Sequence, residues 1–98
     1  MSDNLVVLRG RLVERDALRH TPAGIPIVKF RMAQQSKQAE AGTSRDVSFE
    51  IQAVAFEREA GLLAAAPLGM ELRVTGFLDK KGRTSATLVL HATHIEFV

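Results

Sequence analysis

Lys80, Lys81 and Arg83 crowd around Gly82 in the stretch GFLDKKGRTSATLVL, between two runs of alternating apolar residues. Three cations about one glycine can each reach a different phosphate oxygen, and the glycine lets the backbone bend to aim them. The chemistry on offer is anion binding. The same charges would equally keep an exposed hairpin tip in water. A second set of cations lies elsewhere: Lys29 and Arg31 in IVKFRMA, Arg45 at the head of RDVSFEIQAVAF, and Arg19 just before TPAGIP. On a strand that carries an anionic ligand these would face it; on any half-solvated strand they would simply face water. Phe77 is the aromatic residue of most interest, because its parity points outward while Gly76 and Leu78 serve the core. A nucleic-acid base stacked on such a ring is worth ~1–3 kcal/mol, whereas a subunit contact or a packed helix would bury it instead.

Other chemistries have no support in the chain. No Ser, His and acid stand in a recognisable triad, and TPAGIP lacks the glycines and lysine of a phosphate-binding loop, so no enzyme activity is expected. His91 and His94 are three apart on a strand, which places them on different faces, and His20 sits on a distant turn. No metal or other cofactor is expected. There are no cysteines, which excludes disulfides and thiolate metal sites.

The elements that must position these residues alternate with period two. With 98 residues, 46% of them hydrophobic, the chain has room for one core and one domain spanning 1–98. The net charge of +2 means that where the cations sit matters more than their sum. No apolar run nears the ~18 residues of a membrane span, and MSDNLVVLRG lacks the basic-then-apolar order of a secretory signal. A soluble, cytoplasmic protein is expected.

In NLVVLRGRLVER, Val6, Leu8, Gly10 and Leu12 share the inward parity, and Gly10 predicts a bend or close backbone approach. TPAGIP predicts a turn, with Pro26 at the first position of the second strand. IVKFRMA turns Val28, Phe30 and Met32 inward. Residues 34–44, QQSKQAEAGTS, have no period and predict a mobile connection. In the third strand Val47, Phe49, Ile51, Ala53 and Ala55 form the core face, opposite Ser48, Glu50, Gln52 and Val54. A short helix over 57–66 follows, stopped by Pro67. MELRVTGFL and TLVLHATHIEFV complete the set, the latter with a parity change that predicts a bulge near His94. Five strands with one helix between the third and fourth predict an all-β, Greek-key OB-fold barrel, whose second and third strands and flanking loops often bind oligonucleotides.

NLVVLRGRL, TPAGIPIVKFRMA, GMELRVTGFL and LVLHATHIEF together resemble the primosomal replication protein N (PriB) family, a relative of bacterial single-stranded DNA-binding protein. The GIP at Gly24–Pro26, the GF at Gly76–Phe77 and the LHA at Leu90–Ala92 favour it. The resemblance implies a homodimer that binds single-stranded DNA during replication restart. Its implied partners are the PriA helicase, DnaT and the single-stranded DNA-binding protein. Arg19 matches a basic position of the family, and with Lys29, Arg31 and Arg45 on the fold's usual binding face, Phe77, and the loop cations Lys80, Lys81 and Arg83 it completes the candidates for DNA contact; the implied place of action is the bacterial replication fork. Members of the family can carry Trp on the outer face of strand three, where this chain has Ser48; it has no Trp or Tyr and five Phe. Leu5 and Val7, on the outward parity of an edge strand, are candidates for the dimer contact. Two other readings fit the residues: a short single-stranded DNA-binding protein, which would form a tetramer, and an OB-fold module whose basic loop docks an acidic protein.

Overall fold

The computed structural model describes residues 3–98. Its strands are β1 (Val6–Arg15), β2 (Arg19–His20), β3 (Pro26–Glu40), β4 (Thr43–Phe56), β5 (Glu71–Lys80) and β6 (Leu88–Phe97), with helix α1 (Glu57–Ala64) between β4 and β5. They hydrogen-bond in the order β1-β5-β6-β4-β3-β2, and β1 also pairs with β3. That last pairing closes β1, β3, β4, β6 and β5 into a five-stranded OB-fold barrel, the predicted fold, with the two-residue β2 added outside β3. All pairings are antiparallel except β4 with β6.

Closure makes β1 serve two neighbours. Val6–Arg11 pair with β5 and Arg11–Arg15 pair with β3, with a register break between Leu12 and Glu14. The strand must turn a corner here, and Gly10 permits it: a Cβ at Gly10 would lie 2.3 Å from the Ala33 carbonyl oxygen. The inward parities then fill the barrel. Leu12, Val28, Met32, Leu72, Val74 and Leu90 are buried to 1% or less, and α1 adds Ala60 and Leu63 to the same cluster. Each fully buried Leu or Val contributes ~1.5–3 kcal/mol from removal of apolar surface. The helix is two residues shorter than predicted, and its apolar side covers one end of the barrel.

The expected mobile connection at 34–44 is not a connection. β3 and β4 continue as a paired ladder from Ile27↔Phe56 to Glu40↔Thr43, and the molecule measures 50 × 32 × 25 Å because this hairpin projects past the barrel. Ala41 and Gly42 make the two-residue turn, both with positive φ (52° and 79°), the geometry that matches strand twist. Lys37 and Asp46 are direct cross-strand partners with Nζ and Oδ1 2.6 Å apart. Beyond the barrel both faces meet water, so no apolar period is needed and none exists.

The same projection corrects a second expectation. Phe49 has the parity of the core but is 39% exposed, because its part of β4 has left the barrel. Val54, of outward parity, is instead buried at 6%. The predicted bulge is real and falls one residue early: Thr75 pairs with His94 and Gly76 with Ala92, leaving Thr93 unpaired in the ladder. Its hydroxyl donates to the Thr75 carbonyl at 3.1 Å.

Candidate nucleic-acid interface

Residues of β3, β4 and β6, with Glu14 of β1 and Lys80 of β5, line a groove of about 340 Å³. Val54 lies buried in it, and Ile27, Ala53 and Val89 also line it. Lys29, Arg31, Lys80 and Lys81 supply its cations, Glu14 and Asp16 its anions, and Gln52 an amide. Four positive groups against two negative ones leave the lining net positive. Lys29 and Lys81 form no ion pair among the described residues, so nothing within the fold competes for their charge.

Two further lining residues, Phe56 and His91, extend the groove into a row of rings. His91 is the ladder neighbour of both Val54 on β4 and Phe77 on β5. Its imidazole stacks on Phe77 with centroids 4.9 Å apart and planes 9° from parallel, and faces Phe56 at 6.5 Å and 18°. Phe56 and Phe77 remain 37% and 38% exposed. The row therefore presents aromatic surface that neighbouring strands hold in place, which is what base stacking needs.

The structure brings some of the predicted residues together and leaves others apart. Lys29, Arg31, Lys80 and Lys81 share the groove. Lys80 closes β5 rather than lying in the loop, and its Nζ donates to the Arg83 carbonyl at 3.4 Å. Arg83 is exposed in the adjoining turn. Phe77 reaches the groove through His91. Arg19 is on β2, opposite Ile27, and does not line the groove. Arg45 is at the far end of the β3–β4 hairpin, its Nη1 paired with Glu40 Oε1 at 2.8 Å. Ser48 is exposed on that hairpin, opposite Gln35.

Phe56 and His91 were not among the residues singled out for binding. Their adjacency depends on the parallel β4–β6 register, which no local pattern encodes. His20, His91 and His94 belong to no group of His, Asp or Glu able to hold a metal ion among the described residues.

At the start of β1, Val7 and the preceding Leu5 are 55% and 70% exposed. Asn4 anchors this end of the chain to β5: its Nδ2 donates to the Leu78 carbonyl at 2.8 Å and its Oδ1 accepts from the Leu78 N–H at 3.0 Å.

A closed five-stranded barrel with a cation-lined groove on this face defines an OB-fold protein. The model of a family described as another single-strand binding protein family matches residues 4–94. The replication restart protein PriB of Bordetella pertussis is 42% identical over 88 residues, covering 90% of this chain and 82% of the relative. PriB of Nitrosomonas europaea is 38% identical with the same coverage. The three-dimensional structure of PriB from Ralstonia solanacearum superposes with a TM-score of 0.87 at 35% identity, covering 98% of both chains. The chain belongs to the PriB family, within the single-strand binding proteins.

Proposed function

We propose that this chain is a sequence-independent single-stranded DNA-binding accessory protein of replication restart, working in the bacterial cytoplasm at stalled forks and without catalysis of its own. The observation that carries the reading is the groove itself, where free lysines lie beside the Phe56–His91–Phe77 row. Phosphates meet the lysines and bases meet the rings, a division of labour that ignores sequence. The names of the relatives support the replication-restart role, and the single-strand binding family supports the ligand. The PriA helicase is the principal protein partner in this reading, with DnaT and the single-stranded DNA-binding protein as further ones.

Anisotropy of a labelled oligo-dT strand, titrated with the protein across a salt series and compared with duplex of equal length, tests it. Binding should favour the single strand and weaken steadily with salt. Equal or tighter binding to duplex, or none at low salt, would refute the reading. In the same assay Phe77→Ala should lower affinity about tenfold with the unfolding midpoint little changed, since a stacked base is worth ~1–3 kcal/mol. Unchanged affinity would remove Phe77 from the binding surface.

The functional unit in this proposal is a homodimer joined through β1. Leu5 and Val7 support it, being exposed apolar residues at the start of β1, which Asn4 ties to β5. Pairing two subunits would cover them and place two grooves on one continuous DNA path. Sedimentation should give twice the chain mass, and Leu5→Asp with Val7→Asp should halve it. A variant that keeps the double mass would locate the contact elsewhere.

A further inference from the structure

Arg31 is the groove cation that the fold itself neutralises. Its Nη2 lies 2.5 Å from Glu14 Oε2 on β1, and its Nε lies 3.4 Å from Glu50 Oε1 on β4. The strand register explains the clamp: Glu14 is opposite Arg31 across β1–β3, and Glu50, opposite Ala33, is its diagonal neighbour across β3–β4. One guanidinium thus bridges carboxylates from the two flanking strands, whereas Lys29, two residues away on the same face, has no such partner.

The clamp is built to release. The Arg31 N–H at Nε is shielded from solvent yet makes no hydrogen bond of sound geometry, and a buried donor without an acceptor is unfavourable. All three side chains are partly exposed, at 39%, 62% and 55%, where ion pairs are weak and readily exchanged. A phosphodiester oxygen entering the groove offers a guanidinium an equivalent charged acceptor.

We propose that Glu14 and Glu50 act as an electrostatic latch on Arg31, holding it out of DNA contact until a phosphate displaces them and so limiting the affinity of the groove for single strands. The inference rests on the groove being the DNA site. In its resting state the protein engages phosphates through its lysines; Arg31 joins only where the strand is seated deeply enough to exchange with both carboxylates.

The test compares the wild type, Glu14→Gln with Glu50→Gln, Arg31→Met, and the combined triple variant, each titrated with oligo-dT over a salt series after its urea midpoint has been recorded. Glutamine keeps the size and removes the charge. The double variant should bind about three- to tenfold tighter at low salt, and its log affinity should fall more steeply with log salt by roughly 0.7, the increment of one added phosphate contact on a single strand. Arg31→Met alone should bind more weakly, because it leaves Glu14 and Glu50 uncompensated beside the lysines, and in the combined variant the extra slope should vanish.

Weaker binding by the double variant would overturn the latch and make the two glutamates positioning residues for Arg31. A gain of equal size with and without Arg31 would also overturn it, because it would reflect net charge alone. If no protein in the set binds oligo-dT at low salt, the DNA reading of the groove fails, and the latch fails with it.

Discussion

Alanine at Lys80, Lys81 and Arg83 together is expected to weaken single-strand binding on the order of 50-fold at 0.15 M salt. The figure assumes one phosphate contact per cation, each contributing a slope of about 0.7 in log affinity against log salt, referred to 1 M. The slope itself should fall by about 2, and the loss should shrink as salt rises. The three residues differ in how firmly they are placed. Lys80 ends β5 and is tied to the turn through the Arg83 carbonyl, and the turn is closed by the Lys81 N–H donating to the Thr87 carbonyl at 2.8 Å. Lys81 and Arg83 project from that turn into water. Because all three are exposed, the variant should melt with the wild type, and circular dichroism makes that comparison. A variant that binds with unaltered slope would mean that the tip is a solvated turn, and Lys29 would then carry the phosphate contacts.

The largest effect on stability is expected at Gly76. A Cβ there would lie 1.8 Å from the His91 carbonyl oxygen and 2.8 Å from its carbon. Both are backbone atoms of the adjacent strand, so no side-chain rotation can make room. The close approach arises from the bulge: with Thr93 extruded from the ladder, β6 moves in against β5 at Gly76↔Ala92. Gly76→Ala must therefore open the β5–β6 ladder, at a cost of at least about 3 kcal/mol. For a domain of this size that corresponds to a fall in Tm of more than about 10 °C, measurable by thermal melt. The same shift would pull His91 from Phe77, so any folded residue of the variant should also bind single strands poorly. A melt within a few degrees of the wild type would contradict the packing described for this ladder.

The barrel was legible where one face of a strand is dry and the other wet. β1 and β5 show it: Leu12, Leu72 and Val74 are buried on the parity that the sequence assigns them, and Gly10 marks a close approach of two backbones. TPAGIP was equally clear, because Pro22, Gly24 and Pro26 each restrict the chain in a known way, and β3 does begin at Pro26. The hairpin arm at 34–44 was not legible, since its polar residues are solvated on both faces and carry no apolar period. Phe49 was misassigned for the same reason: parity tells which face a residue is on, not whether that face is still inside the barrel.

The site divides along the same line. Cations on outward parities could be picked out, but not sorted: Lys29, Arg31, Lys80 and Lys81 converge, while Arg45 lies at the hairpin tip and Arg19 on β2. The ring row was beyond reach, because it joins β4, β6 and β5 through two registers that connect residues distant in sequence. Nor does the sequence alone show that one cation, Arg31, is held by two acids while its neighbour Lys29 is free.

In the proposed function, a single strand lies along the groove with its bases on the Phe56–His91–Phe77 row. Photocrosslinking measures this most directly: an oligo-dT strand carrying 5-iodouracil is irradiated with the protein at low salt, and the adducts are mapped by mass spectrometry. Crosslinks to Phe56, His91 or Phe77, suppressed by unlabelled single strand and not by duplex, are the predicted result. Crosslinks confined to the β3–β4 hairpin beyond residue 34, or to α1, would put the DNA on another surface and refute binding along the groove.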